Sequence, residues 1–168
     1  MTLTYFLFLM THKWSNQNLP CALRFVTGNL INRIPIFTQP RCCLAFFEVF
    51  DNLLNDWPSE VIVYVLMPEH FHLIVNPRDG DIRGFLGALK SLAARRLIDL
   101  TNDRRFVLEK PDSQGSIHQV WQDSFKALPL WSGWMIWQKI LHSCQSCESW
   151  VGRISKGFSL VQLPRFLF

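Results

Sequence analysis

The sequence predicts an α+β fold, an antiparallel β-sheet with helices packed on it. Three observations point there. Short apolar runs of strand length stand at Ala22–Thr27, Val61–Met67 and Phe71–Asn76. Two longer stretches, Gln39–Leu54 and Ile82 to about Leu100, repeat their apolar residues at helical spacing. The order is strand, helix, strand, strand, helix, then an extended segment and a helix, which suits a sheet layered with helices. At 168 residues, with 49% hydrophobic residues, seven Trp and 14 Phe, the chain has the material for one domain with a sizeable core.

Each element has a local reason. Ala22–Thr27 alternates, and Gly28-Asn29 ends it. Leu30–Phe37 is apolar but broken by Pro35, so it reads as a loop or edge strand. In the first helix Cys43, Leu44, Phe46, Phe47, Phe50, Leu53 and Leu54 form the apolar face, Cys42 and Cys43 read as packing residues, and Asp56-Trp57-Pro58 closes it. Pro77–Gly80 is a turn, and Asp81 or Gly80 caps the second helix. That helix has an apolar stripe of Ile82, Phe85, Leu86, Leu89, Leu92, Ala93 and Leu97, opposite Arg83, Lys90, Ser91 and Arg95. Thr101–Ser116 is polar and reads as a loop, Ile117–Phe125 as extended chain, and Trp131–Leu141 as a third helix. From His142 to Phe168 the residues are rich in Ser, Cys and Gln with no clear period, so an unstructured tail is expected.

The formal net charge is +4, which permits a nucleic-acid partner without demanding one. Five cysteines form an odd, unpatterned set, which fits a reducing cytoplasm better than a disulfide framework. The apolar stretch Thr2–Met10 lacks a basic n-region and a small-residue cleavage site. It is also far shorter than the roughly 20 residues of a membrane span. A second methionine, Met10, follows it, so residues 1–9 are expected to be an extension outside the fold, and His12 an exposed residue without a site role. The expected location is cytoplasmic, with no membrane partner.

One stretch carries chemistry. His70 and His72 open the third strand run at alternate positions, so their imidazoles leave the same face, while Phe71, Leu73 and Val75 leave the other. Two imidazoles on one face of a rigid strand form a ready bidentate metal site. Taken alone, such a pair is more often one buried and one solvated histidine with no shared task. Glu69 precedes the pair and by alternation faces away, so it reads as a turn residue.

Several segments together resemble the HUH-type single-tyrosine transposases, within them the REP-associated tyrosine transposase group with its IS200-like domain. The resemblance runs from about Trp14 to Ile140, and a domain of residues 10–141 is expected. Its most specific part is Tyr64-Val-Leu-Met-Pro-Glu-His-Phe-His-Leu-Ile-Val75. Further matches are Phe25-Val-Thr-Gly-Asn29, Leu89-Lys-Ser91 with Arg95-Arg96, and Val120-Trp-Gln-Asp-Ser-Phe-Lys126. The resemblance implies a ferredoxin-like sandwich that binds single-stranded or hairpin DNA. It further implies that a tyrosine hydroxyl attacks a phosphodiester while His70 and His72 hold a divalent cation, Mg²⁺ or Mn²⁺, on the scissile phosphate. Lys90, Arg95, Arg96 and Lys126 are then candidate phosphate contacts, and Trp121 a candidate for base stacking, against the plain alternatives of a solvated helix face and a core tryptophan. The oligomeric state is not fixed, and a homodimer stays open.

The attacking tyrosine is missing. The chain has two tyrosines, Tyr5 in the leader and Tyr64 on a strand. The family carries the nucleophile later, in a helix reading approximately Ile-Asn-Tyr-Ile-His-x-Asn-Pro-Val-Lys-x-Gly. This chain reaches Trp137-Gln-Lys-Ile140 and continues Leu141-His-Ser-Cys-Gln-Ser-Cys147. Back-translated from His142 and read one base downstream, permitted codons yield Ile-His-Ala-Asn-Pro-Val-Lys-Ala-Gly-Leu-Val. A frameshift just after Ile140 is therefore expected, with residues 142–168 out of frame and the Cys144-x-x-Cys147 spacing an accident of it. The expected product is a DNA-binding transposase domain without strand cleavage. Two alternatives remain: an active nuclease using Tyr64, which shares the phase of the histidines only if the Met67-Pro68-Glu69 turn preserves it, and a non-catalytic DNA-binding regulator.

Overall fold

The computed structural model describes residues 22–107 and 117–151. The leader with Tyr5 and His12, the loop through Pro111–Gly115 and the tail beyond Val151 lie outside them, as do the side chains of Cys144 and Cys147. β1 (Arg24–Asn29) leads through two short 3-10 turns, Ile31–Arg33 and Ile36–Thr38, into α1 (Pro40–Asp56). β2 (Ser59–Met67) and β3 (His70–Pro77) form a hairpin, followed by α2 (Ile82–Thr101), β4 (Lys126–Pro129) and α3 (Gly133–Val151). The strands lie in the order β2-β3-β1-β4, and every neighbouring pair is antiparallel. This is the expected α+β class in its ferredoxin-like form, two interleaved β-α-β units on one antiparallel sheet.

Local chemistry sets the helix ends. Pro40 opens α1, where its missing N–H has no helical partner to lose. The Asp81 carboxylate accepts a hydrogen bond from the Gly84 N–H at 3.0 Å and caps α2. Asn102 ends α2 in the left-handed region, at φ 47°.

The sheet is covered on both faces. α1 and α2 lie on one side, where Phe46, Phe50, Phe85, Leu86 and Leu89 meet Val26, Phe71, Leu73 and Val75 of the strands. α3 lies on the other, where Met135, Ile136 and Ile140 meet Phe25, Val63, Val65 and Ile74. Double coverage explains why the strand runs read as nearly continuous apolar stretches. Among the described residues, no helix is long and apolar enough to cross a membrane.

Three expectations change. β1 starts and ends about two residues later than the alternation suggests, so Gly28 and Asn29 belong to the strand. The extended segment 117–125 makes only isolated bridges, Val107 with His118 and Leu30 with Trp121. The sheet is completed by Lys126–Pro129, whose two apolar residues between Lys126 and Pro129 carry too short a pattern to read as a strand. Finally, α3 does not stop at Leu141. It runs to Val151, so 142–151 is helical where an irregular tail was expected. Ile136, Ile140 and the buried Ser143 extend one sheet-facing seam, and the Ser143 hydroxyl donates to the Lys139 carbonyl at 2.9 Å.

Candidate metal and DNA site

Strand register builds the site. His72 pairs across β3–β1 with Thr27 and across β3–β2 with Val65, while His70 pairs with Asn29 and Met67. Residues directly opposite in antiparallel strands project to the same face. Thr27 in turn pairs with Lys126 of β4, so Val65, His72, Thr27 and Lys126 form one row on the α3 side of the sheet. The Pro68-Glu69 turn is held at both carbonyls: Leu30 N–H donates to Glu69 O at 2.9 Å, and Phe37 N–H to Pro68 O at 3.1 Å. These bonds fix the start of β3 and with it the position of His70.

The two histidines converge. His70 Nε2 and His72 Nε2 are 3.2 Å apart. His72 is 7% exposed, its Nδ1 lies 2.9 Å from the Thr27 hydroxyl, and its ring stacks on Phe25 at 5.1 Å between centroids. The Glu69 carboxylate stands 3.3 Å from His70 Nδ1 and 3.5 Å from the Arg33 guanidinium. That nitrogen is buried and has no well-formed hydrogen bond, so Glu69 acts on it as a nearby charge. The expectation that Glu69 faces away is thus corrected. It sits in the turn before β3 begins, where side-chain direction no longer follows the strand period.

Burial sets the protonation state. It pushes the His72 imidazole down to about 3, and the neighbouring His70 and His142 rings further disfavour a positive charge there. It also pushes His70 below its ordinary value, against the opposing pull of Glu69. Both rings are neutral near pH 7, with lone pairs available to a cation. With Thr27 and Glu69 on the Nδ1 side, both Nε2 atoms are turned inward, the arrangement by which neighbouring groups orient metal-binding imidazoles. Two nitrogens on one ion at roughly 2.1 Å stand roughly 3.0–3.4 Å apart at right-angle to tetrahedral geometry. The observed pair fits an ion. Among the described residues, no group of three or more His, Cys, Asp or Glu side chains is placed to hold one.

α3 adds residues that the sequence did not mark. Lys139 places its ammonium 5.2 Å from the centre of the Phe25 ring, and the His142 ring lies 5.7 Å from that of His72. Their signal was present as an i, i+3 pair on a helix, but the helix was expected to end between them. Thr27 could have been found from the strand pairing, since it alternates with Phe25 on the face that meets His72. Arg33 follows Asn32 in a turn where both have positive φ, 50° and 49°, a conformation not readable from these residue types.

The other predicted residues divide. Lys126 is exposed and stands in the row of Thr27 and His72. Arg95 and Arg96 are exposed on α2, behind the sheet from the pair, with Arg96 3.8 Å from Glu48. Lys90 is half-buried and tied to the chain, and Trp121 is buried, as the core-tryptophan alternative has it. The Lys90 ammonium donates to the Gln122 carbonyl at 2.7 Å, and the Trp121 indole N–H donates to the Lys90 carbonyl at 2.8 Å. Trp121 is 6% exposed among Phe37, Phe46 and Phe71, so it has no free face for a base. Tyr64 is corrected: it packs on Phe47 and Phe50 of α1, on the far side of the sheet from the histidines.

Comparison with known proteins bears on the fold and the family. The structure is similar to that of a REP-associated tyrosine transposase bound to a REP hairpin, with a TM-score of 0.61 and 14% identity over 90% of this chain and 98% of that one. It is also similar to a putative transposase from Deinococcus radiodurans R1, with a TM-score of 0.51 and 15% identity over 79% and 96% of the two chains. None of the curated proteins matches the chain. The family model described as "Transposase IS200 like" matches residues 21–130, well over half of the sequence. The chain belongs to the IS200-like transposase family.

Proposed function

We propose that this protein binds single-stranded or hairpin DNA on its His70/His72 face with the help of a divalent cation, and that it does so without cutting the strand. The observation that carries the reading is the inward convergence of the two neutral Nε2 atoms, 3.2 Å apart. Around them stand Arg33, Lys126 and Lys139, cations suited to phosphate. The neighbour described with a REP hairpin makes hairpin DNA the natural first ligand to test.

When bound, the ion would polarise a phosphate oxygen and offset its charge. Imidazole ligands favour Mn²⁺ over the more strictly oxygen-seeking Mg²⁺. Thr27 holds the His72 ring, Glu69 biases the proton of His70 toward Nδ1, and α3 shields the pair from one side. Contacts from Arg95 and Arg96 would require DNA that reaches round the helical layer. No tyrosine hydroxyl faces the pair among the described residues, and metal ligands cannot replace a nucleophile. A frameshift after Ile140 would account for that loss, the helical continuation of α3 with Ser143 buried counts against it, and the nucleotide sequence of codons 139–168 decides.

Fluorescence anisotropy with a labelled hairpin, in Mn²⁺ and in chelator, tests the binding reading. The expected result is salt-dependent binding that Mn²⁺ tightens, with the Mn²⁺ effect lost in His72→Asn. Absence of binding to any hairpin removes the reading.

A further inference from the structure

An open groove of about 340 Å³ runs along α3, lined by Trp134, Gln138, Lys139, Leu141 and His142. We propose that this groove is a binding site for one unpaired nucleotide of the DNA strand, its base stacked on Trp134 and its phosphate held by Lys139. The proposal rests on the DNA-binding reading above and adds a place and a chemistry to it.

The sheet-facing side of α3 is spent on Ile136, Ile140 and Ser143, which are half-buried to buried. Trp134, Trp137 and Leu141 recur at i, i+3 and i+7 on the opposite side. A tryptophan in the core or at a satisfied interface hides most of its ring, whereas Trp134 is 74% exposed. Its indole offers a flat π-face that any base can cover.

The groove is not purely apolar. An amide, an ammonium and an imidazole alternate with Trp134 and Leu141 along roughly 12 Å of helix, taking 1.5 Å per residue. No carboxylate is among the described lining residues. A site with a stacking ring, a cation and no negative charge suits an anionic ligand with a flat apolar part. The groove also leads to the proposed ion site. His142 at its end approaches the His72 ring, and Lys139 stands over Phe25, on which His72 stacks. A nucleotide lying there would continue the strand whose phosphate meets the histidines.

The test compares a hairpin carrying a single-stranded tail with the same hairpin made blunt, by anisotropy, for the parent and for Trp134→Ala and Trp134→Phe. Trp134 projects from the surface, so a melting curve matching the parent's is expected for both variants. Trp134→Ala should weaken the tailed hairpin roughly 5- to 150-fold, the range of one lost base–aromatic stack, and Trp134→Phe should recover most of it. The blunt hairpin should bind parent and variants alike. Equal binding of the tailed hairpin by parent and Trp134→Ala overturns the proposal, as does equal weakening of both hairpins. A change in sedimentation between parent and Trp134→Ala without DNA also overturns it, by assigning the surface to a second copy of the chain. A parent that binds neither hairpin overturns the DNA-binding reading along with this one.

Discussion

Tyr64 and His72 project to opposite faces of the same sheet. Tyr64 pairs with Leu73 and His72 with Val65, so each stands one step out of phase with the other. Burial against α1 also pushes the Tyr64 hydroxyl above its ordinary value, which holds it protonated. Tyr64→Phe should therefore leave DNA binding and its Mn²⁺ dependence unchanged, and titration of both proteins with one hairpin checks this. A loss of binding in that variant would bring Tyr64 back to the site.

Thr27 is the residue that orients His72. Replacing it by Val keeps the shape but leaves Nδ1 of a buried ring without its partner. Thr27→Val should lower Mn²⁺ affinity roughly 10- to 100-fold, as loss of such supporting bonds does elsewhere, while Thr27→Ser keeps it. Competition with a chromophoric chelator measures both.

Gly28 is required by its neighbour. A Cβ there would strike the ring of Phe71, its partner across the sheet, and that ring is fixed between Phe46 and Trp121. Gly28→Ala should cost about 1–3 kcal/mol through overpacking. Thermal melting should show a fall of several degrees, and an unchanged midpoint would mean that the Phe71 ring has room to move.

The metal-free protein should lose stability as pH falls below about 6.5. The folded chain holds His72 neutral down to about 3, whereas unfolded histidine takes up its proton near 6.5, so protons favour the unfolded state between those values. The slope contributed by this one residue is at most about 1.4 kcal/mol per pH unit. Denaturant midpoints at pH 7 and pH 5, in chelator, should fall further for the parent than for His72→Gln. Equal falls would place the titration elsewhere.

Much of this was legible in the residues. Strand alternation alone put His70 and His72 on one face, and helical spacing located α1 and α2 to within about two residues. What alternation could not carry was the turn: Pro68-Glu69 broke the phase that would have brought Tyr64 round, and swung the Glu69 carboxylate toward His70. For Lys90 and Trp121 the sequence left a DNA contact open beside a solvated helix face and a core tryptophan, because their tie to each other and to Gln122 joins segments 31 and 32 residues apart, which no local pattern displays. The face of Thr27 could be read from its alternation with Phe25, but its role exists only once β1 lies beside β3.

The central claim is binding without cleavage, and one assay addresses it directly. A 5′-labelled hairpin with single-stranded flanks is incubated with the protein and Mn²⁺, then split between a native binding gel and a denaturing gel. The account predicts a retarded complex on the first and only full-length, protein-free strand on the second. A shortened strand or a protein-linked strand would contradict it, and its disappearance in Tyr64→Phe would identify the nucleophile that the fold places on the wrong face.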